Sequence, residues 1–192
     1  MVQRRQLIQA GLAAALPLAS SGVQAAEPDV ATQLRQGGVV VAFRHALAPG
    51  TFDPPGFRVD DCRTQRNLND EGRAQARAIG RWFQARGLQP ARVRSSPWCR
   101  CLDTARLAFG QADVWPALGS PRGALETTNA AHLRELRTAL TAATQQRGRF
   151  EVWVTHMFVL SALADTGTDS GEGLLLRAEG STVRVLARLR VA

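Results

Sequence analysis

From Gly37 onward the chain alternates short apolar runs with amphipathic stretches of helical period, and that alternation leaves few architectures open. Val39 to Phe43, bounded by Gly37-Gly38, is a β-branched run that reads as a buried strand. A long loop, Ala48 to Arg66, follows with Pro49, Gly50, Pro54, Pro55 and Gly56. Asn69 is then an N-cap, with Asp70 and Glu71 in the first turn. Ala74, Ala78, Ile79, Trp82 and Phe83 recur at helical spacing, and Gly87 closes that helix. Arg92 to Ser95 is a short strand, and Pro97 opens a second helix running to about Ala108. Ala112 to Trp115 is a third apolar run, followed by a Gly/Pro-rich loop to Glu126 and a helix from about Thr128 to Gln146. Glu151 to Thr155 is a strong strand, and Phe158 to Ala164 a short helix. Leu174 to Arg177 and Val183 to Leu189 pair as a hairpin would. Strands separated by helical crossovers predict an α/β three-layer sandwich, with a mainly parallel central sheet and helices on both faces.

With 192 residues and 45% hydrophobic content, the chain can build one packed domain. Residues 1–25 read as an export signal peptide, leaving 26–192 as that domain. Arg4 and Arg5 precede an apolar run from Leu7 to about Ala19, and Val23-Gln24-Ala25 offers small residues for cleavage. The run is shorter than the roughly 20 residues of a membrane span, so no membrane anchor is expected after signal removal. Arg4-Arg5 fits a twin-arginine or an ordinary secretory leader. Either way the expected address is periplasmic or secreted.

The formal charge is +8, or +6 without Arg4 and Arg5, and every basic residue is arginine. The arginines are scattered rather than clustered, so a nucleic-acid partner is not expected. Cys62, Cys99 and Cys101 would meet an oxidising compartment, which predicts one disulfide from Cys62 to either of the other two. The spacing of Cys99 and Cys101 does not suit zinc, and no metal or cofactor is expected.

Ligands of open α/β sheets sit beyond the carboxyl ends of the strands. His45 ends the first strand, His156 ends the Glu151–Thr155 strand, and Ser95-Ser96-Pro97 brings the helix bearing Arg100 to the same rim. Imidazoles, guanidiniums and a helix N-terminus together suit a phosphate dianion. His132, mid-helix beside Leu133, carries no such context. The tripeptides Asp165-Thr166-Gly167 and Asp169-Ser170-Gly171 imitate the paired loops of aspartic proteases, but they share one loop and cannot face each other.

Four blocks now carry a resemblance. Val41-Ala42-Phe43-Arg44-His45-Ala46 resembles the Arg-His-Gly signature of the histidine phosphatase superfamily, with Ala46 in place of glycine. Asn67-Leu68-Asn69-Asp70-Glu71-Gly72-Arg73-Ala74-Gln75-Ala76 is similar to its leucine–glycine–glutamine–alanine helix. Ser95-Ser96-Pro97-Trp98-Cys99-Arg100-Cys101-Leu102-Asp103-Thr104-Ala105 is similar to its serine-proline, arginine, threonine-alanine segment. Val154-Thr155-His156 resembles its strand-end second histidine. The resemblance, to an exported bacterial member, implies a phosphoglycerate mutase-like fold. It also implies metal-independent hydrolysis of a small phosphorylated substrate, with His45 forming a phosphohistidine and Arg44, Arg100 and His156 holding the phosphoryl oxygens.

The acid that would protonate a leaving group has two candidates. Asp53 lies in the loop leaving the nucleophile, and Glu126 in the loop after the third apolar run. If neither serves, phosphohistidine or an acyl phosphate becomes the fitting substrate. Met157-Phe158 makes the wall beside His156 apolar, and Trp98 is a candidate flank for the substrate. A phosphomutase and a non-catalytic phospholigand-binding protein are the alternative readings.

Overall fold

The structure, a computed structural model, describes residues 29–121 and 126–191. The expected export segment 1–25 lies outside the described residues. The elements are α1 (Val30–Gln36), β1 (Val39–Arg44), α2 (Asp70–Gln84), β2 (Arg92–Ser95), α3 (Cys99–Phe109), β3 (Asp113–Val114), α4 (Glu126–Thr144), β4 (Phe150–Thr155), α5 (Met157–Ala164), β5 (Gly173–Glu179) and β6 (Thr182–Leu189).

The six strands form one sheet in the order β3-β2-β4-β1-β5-β6. β1 pairs in parallel with β4, β4 with β2, and β2 with β3, whereas β5 and β6 run antiparallel at the far edge. The expected mainly parallel sheet is therefore present, with the C-terminal hairpin as its antiparallel margin. Parallel strands buried on both faces read as unbroken apolar runs, which is why β1 was legible. Its side chains split by parity. Val39, Val41 and Phe43 pack with Leu34 of α1, Ile79 and Phe83 of α2 and Ala105 of α3, while Val40 and Ala42 pack with Leu136 and Leu140 of α4 and Leu160 of α5. Those two cores make the three layers.

Two elements differ from expectation. The run Ala112–Trp115 pairs only over Asp113–Val114, an exposed edge against β2, because its aromatic end turns back to pack Trp115 against Trp153. α1 was not anticipated. Asp29 caps it by accepting the Ala31 amide at 2.7 Å, and it buries Ala31 and Leu34 against the sheet.

Three features position the rim at the C-terminal ends of β1, β2 and β4. The His45 amide donates to the Thr155 carbonyl at 2.9 Å, tying the residue after β1 to β4. Asn69 caps α2 through the Gly72 amide at 2.8 Å. A Cβ at Gly72 would fall 2.0 Å from the Leu47 carbonyl oxygen, so only glycine lets α2 approach the segment that follows His45.

Candidate active site

A cavity of about 240 Å³ opens at this rim, lined by Arg44, His45, Asp53, Arg66, Arg100 and His156 at its polar end. The walls toward solvent are Phe52, Phe57, Trp98, Met157 and Phe158. The expected set His45, Arg44, Arg100, His156 and Asp53 is thus brought together from β1, the 45–69 loop, α3 and the end of β4. Glu126 is not part of it. It is exposed on the first turn of α4 and lines a separate pocket with Pro121, Asn129 and His132.

His45 and His156 are both buried, with ring centroids 5.6 Å apart and edge-to-face. His45 Nδ1 lies 2.8 Å from the Ala46 carbonyl oxygen. A carbonyl can only accept, so Nδ1 carries the proton and Nε2 keeps its lone pair. Burial lowers the His45 pKa to about 3, with Arg100, Arg66 and Arg44 adding to the effect, so the ring is neutral at physiological pH. His156 is likewise held well below the ordinary histidine value by burial and by Arg100. Arg100 Nη2 sits 3.4 Å from His156 Nδ1 and can only donate, which places the His156 proton on Nε2, 2.9 Å from Ser96 Oγ. Ser96, fully buried, was not singled out from the sequence as a partner of His156.

The guanidiniums are held from several sides. Arg44 Nη1 donates to the Thr168 carbonyl at 2.9 Å. That carbonyl belongs to the 165–172 loop, whose protease-like tripeptides therefore serve as a backbone brace. Glu172, 2% exposed, anchors the loop by accepting from Arg188 at 2.9 Å and Arg190 at 3.1 Å. Arg100, 3% exposed, donates through Nη1 to Asp53 Oδ1 at 2.7 Å. The same Oδ1 accepts the Arg66 amide at 3.0 Å. Burial raises the Asp53 pKa, but the Arg66 amide and Arg100 outweigh it and hold the carboxyl below its ordinary value.

Arg66 is the site residue that sequence reasoning missed. It precedes the Asn67–Ala76 block and looks like another loop arginine, yet its side chain reaches back to the Ala48 carbonyl and lines the cavity. Burial lowers its pKa, with Arg100 adding repulsion. Nε of Arg44, Arg66 and Arg100, together with Trp98 Nε1, are buried without a hydrogen-bond partner among the described residues. With neutral imidazoles, three guanidiniums against one carboxylate leave two positive charges in the cavity, the complement of a phosphate dianion.

Cys62 is bridged to Cys99, which decides between the two expected pairings. Cys101 is the free cysteine, buried 3.5 Å from His156 Nε2, and burial pushes its thiol up to about 12. Such a thiol stays protonated and inert. The α3 N-terminus departs from expectation. The Cys99 amide donates to Gln65 Oε1 at 3.0 Å and the Trp98 amide to Ser96 Oγ at 3.3 Å, so these two N–H groups order the loop rather than await an anion.

The sequence model described as "Histidine phosphatase superfamily (branch 1)" matches residues 58–120. The protein histidine phosphatase SixA complexed with tungstate is similar in structure, with a TM-score of 0.52 at 18% identity, over 79% of this chain and 96% of that one. This chain has the histidine phosphatase fold. An open reading frame product of Mycobacterium tuberculosis superposes with a TM-score of 0.57 at 16% identity, covering 77% of this chain and 94% of that one. A phosphoserine phosphatase variant from Entamoeba histolytica, in complex with phosphoserine, gives 0.54 at 11% identity, over 78% and 95%. No curated protein sequence matches the chain. The expected resemblance to the superfamily is borne out over that matched segment, which contains the whole of the second and third blocks, while the first and fourth lie outside it.

Proposed function

We propose that the protein is an exported phosphatase that hydrolyses a phosphomonoester or phosphoramidate through a phosphohistidine on His45. The observation that carries this reading is the free Nε2 lone pair of a neutral His45, in a cavity shared with His156 and three guanidiniums. Nε2 attacks phosphorus while the bond to the leaving group breaks, and the leaving atom departs with the electron pair. Water then attacks the phosphohistidine, the P–N bond breaks, and inorganic phosphate leaves with one proton released to solvent.

Arg44, Arg100 and Arg66 stabilise the charge on the equatorial oxygens, where positioning and electrostatics supply nearly all of the catalysis. Ser96 lets His156 change tautomer. When Arg100 turns its Nη2 toward the phosphoryl group, Ser96 can donate to Nε2 and leave Nδ1–H free to donate to a phosphoryl oxygen. No step calls on a metal. Export is supported by the Arg4-Arg5 leader pattern and by the Cys62–Cys99 disulfide, a bond that persists in oxidising compartments.

The test is rapid-quench labelling with a ³²P-labelled aryl phosphate in the presence of EDTA. An acid-labile, alkali-stable phosphoenzyme should form in the wild type and be absent from His45→Ala, which should still bind vanadate. Vanadate binding with neither turnover nor a phosphoenzyme in the wild type would replace the enzyme reading with a phospholigand-binding protein.

A further inference from the structure

Building on that reading, we infer that Asp53 positions Arg100 rather than donating a proton, and that the pocket therefore takes phosphate carried on a planar ring that can leave unprotonated. A general acid must hold a proton before the bond breaks, and it must be free to swing to the leaving atom. Asp53 does neither: Oδ1 is fixed by accepting at once from Arg100 Nη1 at 2.7 Å and from the Arg66 amide at 3.0 Å, and those same neighbours hold the carboxyl below its ordinary value, so Oδ2 carries no proton to give. The two side chains of the pair are only 4% and 9% exposed, so protonating the carboxyl would strand a buried guanidinium. What the contact does provide is orientation. With Nη1 held by Asp53, the Arg100 guanidinium is pinned at the cavity, and Nη2, beside His156 Nδ1 in the structure, is the nitrogen left to turn toward the phosphoryl group.

Asp53 is the one carboxyl among the described residues lining the cavity, and residues 122–125, Arg-Gly-Ala-Leu, contain none. Both imidazoles are neutral and buried. Alkoxide departure needs a proton in the transition state, whose supply is worth about 10²–10⁴-fold. Phenolate is a far weaker base than alkoxide, and a phosphorylimidazole already protonated on its distal ring nitrogen leaves as neutral imidazole, so both manage without it.

The aromatic lining of the cavity suits such a ring. Phe57 and Trp98 stand 6.1 Å apart at a 42° tilt, and Trp98 meets His156 edge-on at 5.3 Å. Phe52 and Phe158, 51% and 39% exposed, flank the mouth, with Met157 between the mouth and His156. A sugar or amino-acid hydroxyl would gain little from that surface. Phenolic O–P and imidazole N–P phosphates share the required chemistry.

The experiment compares kcat/KM across aryl phosphates of graded leaving-group basicity, N-phosphorylimidazole, acetyl phosphate and glycerol 2-phosphate, using oxidised full-length mature protein. The wild type should lose at least about 10³-fold from the best aryl phosphate to glycerol 2-phosphate, in line with an absent general acid. Acetyl phosphate, a good leaving group without a ring, should show a KM at least about tenfold above the aryl substrates. Comparison of the N–P and O–P arms shows which source is preferred. Asp53→Asn, whose amide oxygen can still accept both hydrogen bonds but whose charge no longer offsets Arg100, should lower all substrates by one common factor, smaller than that of Asp53→Ala. Asp53→Ala should lower all by about 10²-fold and weaken vanadate binding in parallel, as loss of a charge-assisted contact implies.

If Asp53→Asn spares good leaving groups and cripples poor ones, Asp53 is the acid and the inference falls. Glycerol 2-phosphate within tenfold of the aryl series, or acetyl phosphate with an equal KM, overturns the substrate class while leaving the phosphatase intact. Absence of a phosphoenzyme on any substrate defeats the phosphatase reading itself.

Discussion

Removing the Cys62–Cys99 disulfide should loosen both the fold and the anion site. The bridge spans 37 residues, and closing a loop of that length removes about 13 cal/mol/K of chain entropy from the unfolded state, or about 4 kcal/mol at 25 °C. For a domain of this size each kcal/mol moves Tm by roughly 2–4 °C, so the Cys62→Ser/Cys99→Ser double variant should melt about 8–15 °C lower. The bridge also closes a ring of contacts around the candidate site. From Cys62 the chain runs to Gln65, which accepts the Cys99 amide, and to Arg66, whose amide holds Asp53, which holds Arg100 next to Cys99. Vanadate affinity should therefore fall several-fold along with Tm. The assay is a thermal melt followed by circular dichroism, with vanadate inhibition measured well below the lower Tm and the bridge verified by mass on the wild type. Cys101, inert and buried, leaves the comparison with reductant-treated wild type clean. A Tm loss under about 3 °C, or unchanged vanadate affinity in the double variant, would refute the reasoning.

Acid should destabilise the domain before its carboxylates titrate. His45 is lowered from 6.5 to about 3, so unfolded chains bind its proton where folded ones do not, and stability is complete above pH 6.5 and lost on the way down. Urea melts at pH 7, 6 and 5 should show the unfolding free energy falling toward about 1.4 kcal/mol per pH unit for each buried imidazole, and a His45→Gln/His156→Gln variant should flatten the slope. No fall between pH 6.5 and 5 would contradict the buried, neutral assignment. At the α2–α3 contact, a Cβ on Gly80 would meet the Ala108 carbonyl oxygen at 2.4 Å, so Gly80→Ala must push the helices apart. That overpacking should cost about 1–3 kcal/mol, read as a lowered urea midpoint at unchanged m-value.

Much of the fold was legible because its signals are local. The β-branched run of β1 between glycines, the Asn69 cap of α2 and the parity of Val39 to Phe43 each reflect backbone sterics or one-sided burial. α1 escaped although Asp29 and Gly37 bracket it, because seven residues with two buried apolar side chains carry little periodicity. At the site, His45, Arg44, Arg100 and His156 were reachable from their places at strand ends and in recognisable blocks. Arg66 and Ser96 were not, since an arginine in a loop and a serine before a proline look alike whether they face solvent or a buried imidazole.

The order of strands and helices, the residues at the strand ends and the presence of a cysteine bridge were determined by the sequence alone, because neighbouring side chains suffice to specify them. Which cysteine paired, that Glu126 turned away, and that Asp53 became a fixed partner of Arg100 were decided only in three dimensions. A carboxylate's chemistry depends on what lies within a few ångströms of its oxygens. Those neighbours came from Arg66 and Arg100, 13 and 47 residues further along the chain.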